Sequence, residues 1–388
     1  MNQNFQNTNM NLLNSAQIRG FFEGDGGIQV RIDKTVNGFT FRPLFKFGQK
    51  TENVQIIKWI QSSLGTKRII TDDSLTNSSS LVLPFKGEIN DAGPKLKQMY
   101  LENKPVNPGT LKDLLIALVI LDYEMQKVMP LSTKSAEILR KKPEKERKRI
   151  ELLSLLWLRF QRSATRNIRT AHSIEYYQNH LRATPSEINE ADRFGNELLK
   201  PITKEVDQLV SDLNNDKIQI DDGFLAYYHV ADGSLSFDFE KRKLAGGKVK
   251  IKIEPRWTIT DDMTAKPLLE RIVRQYNFSD YQGIRAQNSG YARARGWQKA
   301  TEVVIPFFKN RILPDVERTK TQTFVQVCEL HYNSETFKDP VLYESYIRLA
   351  YFLNESTSDK RTQAKLDNDY KLLMETIMNE IRKGRETN

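Results

Sequence analysis

Two aspartates stand where a short apolar helix ends on a glycine turn, and acids so placed could hold a catalytic metal ion. Asp25 closes the run IRGFFEGD and Asp232 closes LAYYHVAD, and a glycine follows each of them. Carboxylate oxygens are ligands that Mg²⁺ prefers, and a metal ion held by two of them can activate a water and stabilise a leaving oxygen. Taken singly, each aspartate is an ordinary turn residue. Taken as a pair they indicate metal-assisted hydrolysis.

The surroundings of these aspartates form a diverged internal repeat. Asp25 and Asp232 lie 207 positions apart (232 − 25), and so do two cations that each follow an asparagine, Lys104 and Arg311 (311 − 104). An acid followed 79 residues later by a cation therefore occurs twice (104 − 25 and 311 − 232). Self-similarity at one fixed offset indicates two copies of one structural unit.

Elements of the same type follow each acid. Apolar residues alternate with polar ones over Ile28–Ile32 and Phe39–Phe47, and again over Leu235–Phe239 and Val249–Ile259. Period-two alternation predicts half-buried strands. We expect helices over Glu52–Leu64 and Thr264–Tyr276, then further strands over 67–70, 80–85, 281–286 and 291–294. Each unit therefore reads helix–strand–strand–helix–strand–strand–helix.

The polar faces of these strands are rich in cations. An ordinary amphipathic sheet explains the apolar faces but not this excess, and the chain carries a formal charge of +10 with a pI near 9.3. Such a balance suits a polyanion, and a twisted β-ribbon fits the major groove of DNA. The candidate nucleic-acid contacts are Gln29, Arg31, Thr40, Arg42, Lys46, Lys67, Ser236, Lys248, Lys250, Lys252, Arg256 and Arg285.

The chain divides into four predicted regions. These are a first unit (11–130), a helical linker subdomain (131–215), a second unit (216–350) and a polar helical tail (351–388). The charge run Lys141–Arg149 precedes closely spaced leucines, which need a surface to pack on. The run is either a solvated helix face or a phosphate contact, and the first is the commoner case.

Several classes of protein are excluded. Cys328 is the only cysteine, so an internal disulfide or a cysteine zinc site is impossible, and the four histidines lack metal-ligand spacing. We find no P-loop, no Ser/His/Asp arrangement and no nucleotide-binding glycine fingerprint. No apolar stretch is long enough to cross a bilayer. The first residues are rich in Asn and Gln, which argues against a signal or transit peptide.

The two acid-ending helices resemble the motif of the LAGLIDADG homing endonucleases. Gly20 and Gly24 lie four apart on one helix face, and small residues there imply that two motif helices approach closely and place Asp25 beside Asp232. The second helix departs from the motif, because Tyr227 stands at the usual glycine and Val230 where an acid is common. The resemblance covers about residues 11–130 and 216–350.

The resemblance also implies roles for particular residues. Asp25 and Asp232 would each serve one scissile phosphate and share Mg²⁺, with Gly24 and Ala231 beside them in the metal site. Lys104 and Arg311 would stabilise the charge of the transition state. Gln49 would orient solvent near the metal; its counterpart is Asp261, which implies unequal half-sites. Each of these side chains has a surface role as its alternative, and Lys67 and Arg285 are weaker candidates for the active site.

The fold class we predict is mixed α/β (α+β). Two pseudo-twofold-related units joined by a helical linker would give one DNA-binding saddle. The implied function is that of a monomeric, intron-encoded, metal-dependent endonuclease that cuts both strands of a long, non-palindromic duplex DNA site. The abundance of Asn, Ile and Lys suits an A·T-rich organelle genome better than a bacterial or phage one.

Two alternatives keep the fold and change the activity. One is an RNA maturase acting on the host intron RNA, or a binding protein that does not cut, and the altered second motif favours it. The other is a structural protein of an RNA particle, which the basic charge and the large linker would suit. A maturase need not retain both acids, so the presence of Asp25 and Asp232 favours the nuclease.

Overall fold

The computed structural model describes residues 12–36, 38–88, 91–161, 173–243, 249–284 and 288–355. Two four-stranded sheets lie in the two halves of the chain, with strand orders β1-β2-β4-β3 and β5-β6-β8-β7. Helices precede, interrupt and follow the strands of each sheet. The predicted fold class, mixed α+β with a repeated helix–strand–strand–helix–strand–strand–helix unit, is confirmed.

The first half begins with the helix that carries Asp25. Its elements are α1 (Ser15–Asp25), β1 (Gly27–Thr35), β2 (Gly38–Lys50), α2 (Val54–Ser63), β3 (Thr71–Asp73), β4 (Ser78–Pro84), α3 (Ala92–Glu102) and α4 (Pro108–Gln126). Asn14 caps α1 in a capping box with Gln17, so the helix starts where two main-chain N–H groups find side-chain acceptors.

Between the halves, the described residues form four helices, as the leucine-rich linker sequence indicates. They are α5 (Thr133–Arg140), α6 (Glu144–Phe160), α7 (Ile174–His180) and α8 (Pro185–Asn214). A capping box of Thr184 and Glu187, with Pro185 in the first turn, starts the long helix α8.

The second half repeats the order of the first. Its elements are α9 (Asp222–Asp232), β5 (Gly233–Lys243), β6 (Val249–Asp262), α10 (Lys266–Gln275), β7 (Asp280–Ile284), β8 (Ser289–Arg295), α11 (Trp297–Lys299), α12 (Ile305–Phe308), α13 (Asp315–Tyr332) and α14 (Pro340–Glu355). A π-helical stretch, Ala300–Val304, joins α11 to α12.

Aromatic side chains on the apolar strand faces build the cores. In the first half, Phe45 is fully buried and stacks on Phe85 with ring centroids 4.1 Å apart. In the second, Trp257 is fully buried, with its ring centroid 4.6 Å from that of Phe278. Phe45 and Trp257 occupy strand positions that alternate with polar residues, so period-two burial is confirmed on β2 and β6.

The third strand differs from the sequence-based expectation. Residues 67–70 are not a strand; β3 is Thr71–Asp73, which pairs with Ser78–Ser80 of β4. The carbonyl of Arg68 instead accepts a hydrogen bond from Gln61 Nε2 at 2.6 Å, which ties this segment to the end of α2. The predicted contact Lys67 therefore lies in an exposed connection rather than on a strand.

The linker helices pack on the β1–β2 hairpin. An added Cβ at Gly38 would lie 2.9 Å from Leu152, and the rings of Phe39 and Tyr177 meet with centroids 5.1 Å apart. Arg159 donates from Nε to the carbonyl of Val30 at 2.9 Å, and Val30 lies on β1, the edge strand of its sheet. The linker therefore covers a sheet edge, which is where unpaired main-chain groups need partners.

The charge run that overlaps the start of α6 is largely neutralised. Its cations pair with nearby acids of α6 and α8: Lys142 with Glu146 and Glu190, Arg147 with Glu151, Lys148 with Glu144, and Arg149 with Glu187. These partners favour the reading of the run as a solvated, ion-paired helix face over a phosphate contact.

The contacts between residues divide the chain into two compact units. The first comprises Met1–Ala231, Asp261–Arg271 and Gly283–Gly290, and the second comprises Asp232–Thr260, Ile272–Gln282 and Tyr291–Asn388. The four-region division read from the sequence remains a prediction. Within the described ranges, no helix is both long enough and apolar enough to cross a membrane.

Candidate active site

The helices α1 and α9 approach so closely that their small residues are required. A Cβ added to Gly20 would lie 2.1 Å from the carbonyl oxygen of Phe224, and one added to Gly24 would lie 2.4 Å from the Cβ of Ala231. Real side-chain atoms do not come this close, so only glycine fits at either position. The expectation that two small residues on one face of α1 allow the motif helices to meet is confirmed.

The departures in the second motif do not prevent this approach. The α9 atoms nearest the two glycines belong to Phe224, Tyr228 and Ala231, which share one helix face. Tyr227, at the position of the usual glycine, is buried to 1% exposure, and Val230 is buried to 7%. The second motif helix therefore buries larger side chains at these positions and still packs closely against α1.

The two aspartates follow directly on this contact. Asp25 is the last residue of α1 and comes after Gly24; Asp232 is the last residue of α9 and comes after Ala231. Both side chains are half-buried. The main-chain N–H of Gly26 closes α1 by donating to the carbonyl of Phe22 at 2.8 Å. The placement of Asp232 beside Asp25 remains a prediction.

The donor chemistry at these helix ends fits a hard divalent cation. A carboxylate at a helix C-terminus is disfavoured by the helix dipole, and a cation would relieve that. Among the described residues no three His, Cys, Asp or Glu side chains cluster as metal ligands. Each helix end would offer such an ion one carboxylate and the carbonyl of the residue before it, Gly24 or Ala231, leaving the other positions to phosphate and water. Mg²⁺ is commonly held in this way.

The two predicted cations have different surroundings. Lys104 lies in the exposed connection before α4, with Nζ 2.6 Å from Glu205 Oε1, while its carbonyl accepts from Arg19 Nη2 at 2.8 Å. This ion pair is largely solvent-exposed, so it is weak and leaves Lys104 available to a stronger anion. Arg311 is half-buried, with its guanidinium carbon 4.0 Å from the ring centroid of Phe307.

Gln49 and Asp261 are not equivalent in their surroundings. Gln49 is half-exposed near the end of β2, and its Oε1 accepts from the main-chain N–H of Lys50 at 2.8 Å. Asp261 is only 6% exposed; its Oδ2 accepts from Asn107 Nδ2 at 2.9 Å and from the Tyr228 hydroxyl. The structure therefore places Gln49 near the surface and Asp261 inside.

A buried acid that the sequence did not single out lies next to this site. Glu23 is 1% exposed, and its Oε2 accepts the main-chain N–H groups of Val106 and Asn107, each at 2.8 Å. Burial raises the pKa of Glu23 to about 7, against the opposing effects of Arg19 and these hydrogen bonds. For its partner Asn107 the sequence did carry a signal, because an asparagine followed by a proline marks the start of a helix. In the structure, Asn107 Oδ1 accepts from the main-chain N–H of Gly109 at 2.9 Å.

The predicted DNA-contacting face of the first sheet carries two opposed arginines. Arg31 and Arg42 are cross-strand partners, and both form ion pairs with Asp33, with Nε–Oδ distances of 3.0 and 2.8 Å. The other candidates on β1 and β2 lie on the exposed or half-exposed face: Gln29, Thr40 and Lys46.

The second sheet carries acids at the corresponding pair. Asp238 and Glu254 are cross-strand partners; Arg256 Nη1 lies 2.9 Å from Asp238, and Arg295 Nε lies 2.8 Å from Glu254. Ser236 is 6% exposed and is the cross-strand partner of Arg256. Its hydroxyl accepts from Arg256 Nε at 3.2 Å, so it holds that arginine from the neighbouring strand. Lys250 and Lys252 lie on β6, whereas Lys248 and Arg285 lie outside the described residues.

Residues 18–104 match the family described as LAGLIDADG endonuclease. The chain is similar in fold to I-SmaMI bound to cleaved DNA, at 16% identity over 87% of this chain and 96% of that one, with a TM-score of 0.58. It is similar to I-LtrWI, a LAGLIDADG homing endonuclease bound to target DNA, at 11% identity over 87% and 96%, with a TM-score of 0.58.

A third similar structure is I-SmaMI bound to an uncleaved DNA target in the presence of calcium ions. Its identity is 14% over 88% of this chain and 99% of that one, with a TM-score of 0.55. Comparison with curated proteins gave no match. From the motif helices, the repeated sheets and these matches, we conclude that residues 18–104 match the LAGLIDADG endonuclease family and that the chain has the fold of single-chain LAGLIDADG homing endonucleases.

Proposed function

We propose that this protein is a homing endonuclease that makes a metal-dependent double-strand break at a long DNA site. The observation that carries the proposal is the packing of two acid-ending helices at Gly20 and Gly24. The similarity to DNA-bound homing endonucleases supports it. Because both motif helices belong to one chain, a monomer suffices and the site need not be palindromic.

The residues divide the chemistry between them. Asp25 and Asp232 would each serve one strand and hold Mg²⁺, together with the carbonyls of Gly24 and Ala231. A bound divalent ion would supply Lewis-acid activation of water and charge neutralisation at the phosphate; the calcium-containing I-SmaMI structure supports divalent-ion use. Lys104 and Arg311 would stabilise negative charge in the transition state. Gln49 would orient solvent on one strand.

The polar sheet faces would read the DNA. Arg31 and Arg42 present guanidinium donors that suit guanine. At the corresponding positions Asp238 and Glu254 present acceptors that are shared with Arg256 and Arg295. Opposite charges at corresponding positions imply that the two half-sites differ in sequence there, which supports a non-palindromic target.

Cleavage of a randomised duplex library by the purified protein, with Mg²⁺ and with EDTA, tests the proposal. We expect double-strand breaks at one enriched long site, only with metal. Tight DNA binding without cutting under any metal would contradict it. Binding to duplex DNA and to structured RNA, compared in parallel, addresses the maturase and scaffold alternatives, because strong RNA preference without metal dependence would favour them.

A further inference from the structure

Four buried polar side chains join the two motif helices to the start of α4 and the end of β6. We call Glu23, Asn107, Tyr228 and Asp261 the buried bridge; each is at most 6% exposed. Asp261 Oδ2 accepts from Asn107 Nδ2 at 2.9 Å and from the Tyr228 hydroxyl. Asn107 also donates from its main-chain N–H to Glu23 Oε2 at 2.8 Å, and from Nδ2 to the Glu23 carbonyl at 3.4 Å.

Most polar atoms of the bridge have hydrogen-bond partners; the exception is Glu23 Oε1, which has only an ion pair with Arg19 Nε at 3.6 Å. Asp261 Oδ1 accepts from the main-chain N–H of Asp262 at 2.7 Å, and Glu23 takes a second main-chain donor from Val106 at 2.8 Å. Asn107 uses its Oδ1 to cap α4. Buried polar groups matched in this way specify one arrangement, because any other leaves a buried donor or acceptor without its partner.

The bridge is close in sequence to three of the proposed catalytic residues. Glu23 precedes Asp25 by two residues, Tyr228 precedes Asp232 by four, and Asn107 follows Lys104 by three. Four residues are about one turn of an α-helix. A shift in any member of the bridge would therefore displace the end of a motif helix or the connection that carries Lys104.

We propose that the buried bridge positions the cleavage machinery, and that Asp261 acts in it as a positioning residue rather than at the solvent side of the metal. The inference rests on the proposed endonuclease function. It replaces the role that the resemblance implied for Asp261, because a carboxylate bonded to Asn107 and Tyr228 in the interior already has its acceptor oxygens engaged.

An exchange of side chains between positions 107 and 261 tests the proposal. Asp261→Asn alone sets an amide NH₂ against a donor, whichever way the amide is turned. Asn107→Asp alone brings two carboxylates together beside Glu23. The double variant Asn107→Asp/Asp261→Asn restores one donor facing one acceptor, and aspartate caps a helix as well as asparagine does. Asp207→Asn, an exposed position on α8, is the control.

Two readouts are needed, at a temperature well below unfolding of every variant. The first is single-turnover cleavage of the enriched DNA site, alongside the DNA dissociation constant. The second is amide hydrogen exchange at residues 23–26 and 103–107, which requires no activity. We expect each single variant to cut about 10- to 100-fold more slowly, the usual effect of removing a supporting partner. DNA affinity should change little, exchange at both segments should rise, and the double variant should recover in both readouts.

Other results would overturn the inference in distinguishable ways. A single variant with wild-type cleavage and exchange would show that the bridge positions nothing. A double variant that recovers exchange but stays as slow as Asp261→Asn would show that the carboxylate of Asp261 itself acts in catalysis. If no form of the protein cuts DNA while the exchange pattern is lost and restored as expected, the endonuclease proposal fails and the bridge stands as a positioning device for the helix ends.

Discussion

At one buried position where the two motif helices differ, a second difference at the start of a later helix accompanies the first. Glu23 accepts the N–H groups at the start of α4, including that of Asn107. At the same offset of 207, the second half has Val230 for Glu23 and Pro314, which has no N–H, for Asn107. Pro314 occupies the N-cap position of α13 and makes no side-chain hydrogen bond there. The acceptor and one of its two main-chain donors are thus both absent from the second copy, so Val230 is a consistent apolar solution rather than a degenerate motif.

The edges of the two sheets also differ, in the elements that bond their main-chain groups. Val30 on β1 and Phe237 on β5 also correspond at the offset of 207. Arg159 of the linker donates to the carbonyl of Val30, whereas Asn354 of α14 bonds both the N–H and the carbonyl of Phe237, at 2.8 and 2.5 Å. At these corresponding edge positions, different elements outside the repeat therefore bond the main chain in the two copies.

An acid placed at the buried position 230 should cause the largest loss of stability among these variants, and it tests the comparison of the two motif helices. Val230→Glu places a carboxylate at a 7% exposed position, and the residue corresponding to Asn107 has no N–H to offer. We expect a loss of about 3 kcal/mol or more in the free energy of unfolding, measured by urea denaturation. Val230→Gln, which matches the glutamate variant in shape but carries no charge, should lose less of its free energy of unfolding at pH 8. A Glu variant as stable as the wild type would break the comparison.

The matching experiment in the first motif helix measures the pH dependence that Glu23 gives to the free energy of unfolding. Its pKa is raised from 4.5 to about 7 in the folded protein, so the folded state holds a proton that the unfolded state releases between these values. The free energy of unfolding should therefore fall as pH rises through this window, by roughly 3 kcal/mol, and level off above it.

Glu23→Gln retains an acceptor for the two main-chain donors and removes the titration. Denaturation at a series of pH values should show that the difference in stability between wild type and variant changes between pH 4.5 and about 7. A difference that stays constant over this range would show that Glu23 does not titrate there.

The smallest of these effects should come from the sheet edges. We expect Asn354→Leu to reduce the free energy of unfolding by about 2 kcal/mol and Arg159→Leu by about 1 kcal/mol, because the first leaves two main-chain groups without their partner and the second leaves one. Asn310→Leu, at an exposed position, is the control. Urea denaturation measures both, and an Arg159 variant that loses more than the Asn354 variant would contradict this ranking.

The sequence was informative wherever function depends on local periodicity. The alternation of Ile28 and Val30 with Gln29 and Arg31 predicted a strand with one polar face, and the glycines at 20 and 24 predicted the helix contact. Both signals lie within a few residues, where strand and helix geometry apply directly.

The buried bridge could not be predicted in this way. Asn107 and Asp261 are 154 residues apart and Glu23 and Asn107 are 84 apart, so no local pattern links them. The prediction of a strand over residues 67–70 was wrong, because a hydrogen bond from Gln61, seven residues earlier (68 − 61), ties the segment to the end of α2.

We propose that Asp25 and Asp232 both act in cutting, despite the unequal helices that carry them. The most direct test is single-turnover cleavage of the enriched duplex site by Asp25→Asn and by Asp232→Asn, with DNA binding measured in parallel. We expect each variant to lose double-strand cutting while its DNA affinity stays within a few-fold of the wild type, since base and phosphate contacts on the sheets are unchanged. If both variants cut both strands at the wild-type rate, the assignment of the active site is wrong.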